Sequence, residues 1–150
     1  MFDGWDLVSE TSKRAPTFQL VHIGGRRFAV DSQAVIATAD PLATTHVPGT
    51  PAWVRGVVLW EGQVVPVLSA AKRLGLVALT ATTPSQLLEL KVRGEPFFIE
   101  IESLGEVIAA VNFEACDERL LLGFVALADE MIPILDLAAV TDISDEGVSQ

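Results

Sequence analysis

The sequence is poor in the residues that build disulfides, metal sites and acid–base catalytic centres. Cys116 is the only cysteine, and His22 and His46 are the only histidines, among 150 residues. A single cysteine excludes an internal disulfide and a cysteine-based metal cage, and no histidine lies near it in sequence. We therefore interpret Cys116 as a small half-buried thiol and predict no metal, no cofactor and no catalytic residue.

Positive charge is also scarce. Ten Lys and Arg residues stand against twenty Asp and Glu residues, which gives a net charge of −10. A phosphate backbone would repel such a chain, so we do not expect nucleic acid as a partner. The charge is uneven, because residues 1–75 carry seven basic and six acidic side chains (+1) and residues 76–150 carry three and fourteen (−11).

No long apolar stretch runs without interruption. The most apolar window, residues 56–71, contains Glu61, Gln63 and Pro66, which are costly in lipid or break a membrane helix. The opening MFDGWDLVSE is acidic and lacks the basic and apolar regions of a signal peptide. We therefore expect a cytoplasmic protein with no membrane insertion.

What the sequence does contain is one segment that occurs twice. Residues 56–68 read GVVLWEGQVVPVL, and residues 123–135 read GFVALADEMIPIL. At a constant offset of 67 (123 − 56), Gly56 aligns with Gly123, and a proline aligns with a proline ten residues later. One half of the chain therefore looks like a copy of the other.

Between these segments the dominant pattern is alternation with a period of two, which is typical of β-strands. Over residues 86–93, Leu88, Leu90 and Val92 point one way, and the polar face on the other side consists of Glu89, Lys91 and Arg93. Residues 97–102 alternate as well, and the intervening Gly and Pro predict a hairpin. A second predicted hairpin, residues 17–30, aligns with this one at an offset of 69.

Each half thus runs as a hairpin, an apolar segment, a second hairpin that begins with glycine, and a short helix (69–74 and 136–140). The pattern predicts an all-β fold with minor helix, in which two small five-stranded β-barrel subdomains are related by an internal repeat. Pro66 and Pro133 are expected on an edge or bulge, where a missing N–H costs no ladder bond. Residues 38–52 are expected to form a surface connection.

Three segments of this framework resemble the conserved blocks of the CheW-like domain, the chemotaxis coupling module. They read LVHIGGRRFAVDSQAV, PAWVRGVVLWEGQVVPVL and LLLGFVALADEMIPILDLAAV. The resemblance places this domain at residues 17–140, with strands of the two halves possibly interleaved, between a mobile segment (1–16) and a disordered acidic tail (141–150). It implies a non-enzymatic adaptor that joins a chemotaxis-type histidine kinase to chemoreceptors or analogous receptors, or to other CheW-like domains.

The resemblance also implies where partners bind. The functional Asn-Leu-Arg-Gly turn of the family reads Leu59, Trp60, Glu61 and Gly62 here, so an anion replaces a cation that could reach a receptor carboxylate. By position, Val35, Gly56 and Val107 match the groove between the barrels that faces the receptor. Together these seven residues are the candidate partner-binding site.

Three alternatives stay open at this point. Within the family, the chain could instead be the coupling component of a type IV pilus twitching pathway. A rival from another class is a small-molecule-binding barrel, with Trp53, Trp60 and His46 around a pocket. An enzyme is the least favoured class, because the sequence offers no catalytic constellation.

Overall fold

The computed structural model describes residues 16–76, 86–109 and 113–144, so the predictions for residues 1–15 and 145–150 lie outside the described residues. The strands of this part are β1 Thr17–Ile23, β2 Arg26–Asp31, β3 Val35–Ala39, β4 Val54–Trp60, β5 Gln63–Ser69, β6 Gln86–Val92, β7 Glu95–Ile101, β8 Ser103–Ala109, β9 Phe113–Ala115, β10 Leu121–Leu127 and β11 Glu130–Leu135. The two helices, α1 Ala70–Arg73 and α2 Leu137–Val140, follow β5 and β11. The prediction of a mostly β fold with little helix is confirmed.

The strands form two sheets that exchange hairpins between the halves of the chain. Sheet A has the order β8-β1-β2-β11-β10-β9, and sheet B has the order β3-β6-β7-β5-β4. In each sheet the opening hairpin of one half joins the later strands of the other half through a parallel pair, β2 with β11 and β5 with β7. Neither half of the sequence therefore builds a sheet alone.

The five strands expected for each subdomain are found in sheet B, whereas sheet A has six. The difference arises after the third strand of each half. Beyond β8 the chain pairs with β10 over three residues and forms β9. Beyond β3 the equivalent stretch pairs with β4 only through Thr45 and Val57, so part of the predicted surface connection 38–52 belongs to the sheet.

The repeated glycines mark the place where this crossing chain lies against the following hairpin. A Cβ atom on Gly56 would lie 2.8 Å from the carbonyl carbon of Thr45, and one on Gly123 would lie 2.9 Å from Cα of Ala115. Each would lie closer still to a backbone carbonyl oxygen, that of Thr45 or Glu114. Only glycine permits this approach. The same steric demand in both halves explains why the glycine occurs twice.

The prolines lie neither on sheet edges nor at the register shifts of their hairpins, which corrects the prediction of an edge or bulge for Pro66 and Pro133. Strand β5 lies between β4 and β7, and β11 lies between β10 and β2. Both prolines instead lie one residue before the parallel ladder begins, at Val67 in β5 and at Ile134 in β11. The missing N–H still costs no ladder bond, because the neighbouring strand has not yet paired at that residue.

Three apolar clusters stabilise the fold. The largest draws fully buried side chains from both sheets, such as Val21, Leu68, Leu90 and Leu135. The other two belong to one sheet each, and most of their members are equivalent in the repeat: Phe18, Leu20, Ala29, Val125, Ile132 and Ile134 in sheet A, and Val58, Val65, Val67, Leu87 and Phe98 in sheet B. Each sheet thus has its own interior, and a shared core holds the two together.

A contact between the short helices adds a second connection between the halves. The Arg73 guanidinium of α1 donates hydrogen bonds to the carbonyls of Ala139 (2.7 Å) and Val140 (3.2 Å) in the last turn of α2. It also lies 4.3 Å from the centroid of the buried Trp53 ring. A cation at a helix C-terminus and over an indole face is favourable on both counts.

The described chain extends four residues into the predicted tail. Thr141 is buried, and its hydroxyl donates a 2.7 Å hydrogen bond to the carbonyl of Leu137, the first residue of α2. Residues 142–144 follow as a turn, in which the Asp142 carboxylate accepts a hydrogen bond from the backbone N–H of Ser144. In the described structure the fold therefore continues past residue 140.

Candidate functional site

The turn of the β4–β5 hairpin carries the residues that stand in place of the family's functional turn. Glu61 and Gly62 have φ values of 51° and 80°, and Trp60 pairs with Gln63 on either side of them. Positive φ at both central residues is the pattern of a two-residue type I′ turn, which normally selects Asn, Asp or Gly. A glutamate pays about 1 kcal/mol of backbone strain at such a position. The turns of the β6–β7 and β10–β11 hairpins contain a similar residue, Arg93 (φ 53°) and Ala128 (φ 54°).

The outer face of this hairpin is apolar. Leu59 and Val64 are cross-strand partners, and they are 76% and 66% exposed. The equivalent position on the β10–β11 hairpin is Met131, which is 50% exposed and pairs with Ala126. Each sheet therefore presents an exposed apolar side chain on the same face of its glycine-led hairpin. Such surfaces are typical of protein contacts.

The inner face of the same hairpin carries Trp60. Its ring packs edge-on against Phe98, with the two centroids 5.1 Å apart and the planes at 84°. The indole Nε1 is buried, and among the described residues it has no hydrogen-bond partner. A buried donor without an acceptor costs roughly 1–3 kcal/mol. Trp60 thus fills the end of sheet B and leaves one polar group unsatisfied.

Beside Trp60 lies a cleft of about 280 Å³ that also contains two carboxylates. Glu61 borders it from the turn, and Glu89 of β6 lines it although only 9% of Glu89 is exposed. Within residues 16–76, 86–109 and 113–144, no hydrogen bond or ion pair reaches the Glu89 carboxylate. The only basic residue in the lining is Lys91. We name this feature the Glu89 cleft.

The sequence reasoning missed Glu89, because alternation placed it on a polar, solvent-facing side of the strand. In fact β6 has both faces buried: Leu88 and Leu90 enter the shared core, and Leu87 enters the interior of sheet B. Glu89 follows Leu87 on that second face. The repeat could have revealed it, since an offset of 69 aligns Glu89 with Leu20, which is 1% exposed in the apolar interior of sheet A.

The structure brings only part of the predicted site together. Leu59, Trp60, Glu61 and Gly62 form one hairpin end. Gly56 lies three residues before Leu59 along β4, or about 10 Å, and is buried under the crossing chain.

The two remaining residues lie on edge strands, Val35 on β3 of sheet B and Val107 on β8 of sheet A. Val35 is half-buried against the shared core, and Val107 is 57% exposed. The predicted residues are therefore spread over the hairpin end and the two sheet edges.

The aromatic residues proposed for a small-molecule pocket are separated. Trp53 packs into the shared core, and Trp60 packs into the interior of sheet B. His46 is exposed in the chain that follows β3. Trp53 and Trp60 thus belong to different clusters, and the cleft beside Trp60 is lined by other residues.

Charged groups elsewhere form ion pairs across the sheets. Arg55 donates a 3.0 Å hydrogen bond to Glu100. Arg27 donates a 2.5 Å hydrogen bond to Glu130, and this bond holds the pKa of the Glu130 carboxyl below its usual value. It bridges the β2 and β11 ends where those parallel strands diverge. In sheet B the equivalent positions are Pro96 and Gln63, and both line the Glu89 cleft.

Other classes of site find little support in the described part of the chain. There, no three His, Cys, Asp or Glu side chains converge closely enough to hold a metal ion. Cys116 is a free, half-buried thiol whose Sγ lies 3.9 Å from the Leu121 carbonyl oxygen. Across the same residues, no helix has the length and apolar character needed to cross a membrane.

Comparison with known proteins agrees with this architecture. The model of the CheW-like domain family matches residues 17–114. The chain belongs to the CheW-like domain family. The scaffolding protein TtCheW from Thermoanaerobacter tengcongensis superposes with a TM-score of 0.76 at 19% identity, over 86% of this chain and 94% of that one. The paired β subdomains are therefore the CheW-like fold.

Two curated relatives carry the same family name. The chemotaxis protein CheW of Rhizobium meliloti is 24% identical over 130 residues, which covers 79% of this chain and 82% of that protein. The probable chemotaxis protein CheW of Rhizobium etli is 21% identical over 126 residues, with coverages of 78% and 81%.

Proposed function

We propose that this chain is a non-enzymatic cytoplasmic adaptor that couples a chemotaxis-type histidine kinase to receptors or to other CheW-like domains. Membership of the CheW-like family supports the coupling role. The chemotaxis proteins among its relatives support the pathway. An adaptor needs rigid surfaces that bind partners and no reaction centre, and the two glycine-led hairpins have that character.

The observation that carries the proposal is the exposed pair Leu59 and Val64 on the β4–β5 hairpin. Burying these two side chains against a partner would contribute about 1.5–3 kcal/mol each if burial were complete. Val58 and Val65, on the opposite face of the hairpin, are packed in the interior of sheet B. The hairpin is therefore already ordered, and binding costs little conformational entropy. This is the physical basis of a docking surface.

Two docking surfaces would allow one chain to bridge two partners. The β4–β5 hairpin ends sheet B, and the equivalent β10–β11 hairpin, with Met131, lies next to the edge strand β9 of sheet A. Val35 and Val107, on the edge strands of the two sheets, add a further contact surface in the proposal. Gly56 contributes indirectly, because it permits the chain crossing that supports the hairpin.

Co-sedimentation tests this function. Receptor-containing membranes, the chemotaxis-type histidine kinase of the same organism and this chain are mixed and pelleted. We expect the chain to pellet with the other two and to increase the kinase recovered with the membranes. Leu59→Asp should reduce this recovery by about tenfold, the effect of losing roughly 1.4 kcal/mol. Leu122→Asp, an exposed leucine away from both hairpin ends, is the matched control. Absence of the chain from every pellet would contradict the coupling function.

A further inference from the structure

We infer that the Glu89 cleft is a specificity site that accepts an arginine side chain of the docking partner. The inference rests on the proposed function, because the cleft opens at the end of the proposed docking hairpin. Its starting point is an unusual residue type, a glutamate on the apolar inner face of sheet B. In sheet A the position equivalent to Glu89 is Leu20, a fully packed side chain, so the fold itself requires only an apolar residue there.

The Glu89 side chain is largely packed, yet its carboxylate faces the cleft. Glu89 is 9% exposed and has no hydrogen-bond or ion-pair partner among the described residues. Among the described residues the only fully buried side-chain N or O atom without a partner is Nε1 of Trp60, so the Glu89 carboxylate keeps access to solvent through the cleft. Gln19, a buried polar residue of sheet A, differs from Glu89 in having an internal partner: its amide donates a 2.7 Å hydrogen bond to the Gly105 carbonyl. Glu89 is thus left available to a group from outside.

The lining of the cleft selects a cation. Glu61 and Glu89 contribute two negative charges against the single positive charge of Lys91. Ile36, Trp60 and Pro96 supply apolar walls for an aliphatic stem. A volume of about 280 Å³ lies just below the usual range of small-molecule pockets, about 300–1,000 Å³, and suits one side chain.

Arginine fits this lining better than lysine. Its planar guanidinium has five donors, so it can bond two carboxylates at once, and it stacks well beside aromatic rings. The charge at the turn supports the same choice. Where the family resemblance implies an arginine that meets a receptor carboxylate, this chain has Glu61, and the complementary partner group is then a cation.

Peptide titration tests the inference without kinase or receptor. The probes are acetyl-Gly-Arg-Gly-amide, the same peptide with neutral citrulline, and the same peptide with lysine. The readout is the indole N–H resonance of Trp60 in ¹⁵N-labelled protein, assigned with Trp60→Phe. The arginine peptide should shift this resonance saturably with a Kd in the order of millimolar, as expected for so small a ligand.

Variants of the cleft residues identify which side chains bind the arginine peptide. Glu89→Gln and Glu61→Gln should each weaken arginine binding by about tenfold, since each removes a charge-assisted hydrogen bond. Lys91→Met should strengthen it, and Glu106→Gln, on an exposed part of β8, should leave it unchanged. Circular dichroism and thermal melts establish that each variant is folded.

The result that overturns the inference is specific. It fails if no saturable shift occurs, if citrulline or lysine peptides bind as well as arginine, or if Glu89→Gln binds like the parent chain. It also fails if the Trp60 resonance shifts with protein concentration alone, because a second copy would then occupy the cleft. A chain that co-sediments with its partners but ignores arginine refutes only this inference. A chain that binds arginine but never co-sediments refutes the proposed function.

Discussion

The steric account of the repeated glycines makes a quantitative prediction for Gly123→Ala. The added methyl group would lie 2.9 Å from Cα of Ala115 and closer to the Glu114 carbonyl oxygen, so β9 must move away from β10. Both obstacles are backbone atoms, and no rotamer change relieves them. Overpacking costs about 1–3 kcal/mol where neighbours yield, so we expect a loss of about 3 kcal/mol or more here. That is a large fraction of a typical stability of about 5–15 kcal/mol.

Gly62→Ala is the matched control, because it separates backbone strain from collision. Gly62 has a φ of +80° and open space around its Cα, whereas Gly123 has no left-handed φ and a blocked Cα. The control should lose only about 1 kcal/mol.

Urea denaturation followed by circular dichroism measures both changes. With an m-value of about 1–3 kcal/mol per molar, Gly123→Ala should lower the midpoint by at least about 1 M. Equal midpoints for the two variants would refute the steric explanation of the repeat.

Three further predictions concern charge. Glu89→Leu restores the residue type of the equivalent position in sheet A and should raise the free energy of unfolding by about 1–3 kcal/mol through apolar burial, or Tm by several degrees, in a thermal melt. A destabilised variant would mean that the hydrated carboxylate stabilises the free protein more than an apolar side chain does. Arg73→Ala removes two hydrogen bonds and the contact with Trp53 and should cost about 1–3 kcal/mol in the same assay, whereas Lys72→Ala should cost less than about 0.5 kcal/mol. The hydrogen bond from Arg27 lowers the pKa of Glu130. The stabilisation of the fold by this ion pair is therefore fully present above the ordinary glutamate pKa, about 4.3, and is lost as the pH falls through the lowered pKa. Glu130→Gln should therefore be less stable than the parent chain at pH 6 and equal to it near pH 2, and a difference independent of pH would contradict this assignment.

Much of the fold could be predicted because the repeat and the alternation are local patterns. The offsets of 67 and 69 correctly pair β4 with β10 and β1 with β6, and the short helices follow where the apolar segments end. The exchange of hairpins between sheets depends on the parallel pairs β2 with β11 and β5 with β7, which join residues far apart in sequence. No local pattern encodes such pairing, and this is why Pro66 was predicted on an edge or bulge.

The candidate site was predictable only in part for a related reason. Family resemblance pointed to the turn at Glu61, but alternation assigned Glu89 to a solvent-facing side. A strand shared between two cores buries both faces, so alternation no longer indicates which side chains face solvent. The repeat aligns Glu89 with the apolar Leu20, and the structure shows that the face of Glu89 continues the apolar interior of sheet B.

Amide hydrogen exchange of the assembled complex tests the central claim most directly. The chain is exchanged alone and together with the histidine kinase and receptor membranes, and protection is compared peptide by peptide. Docking through the β4–β5 hairpin predicts slower exchange over residues 59–64 in the complex, with no change in that protection pattern for Leu122→Asp. A complex that forms while residues 59–64 exchange as fast as in the free chain would contradict the claim that this hairpin is the docking surface.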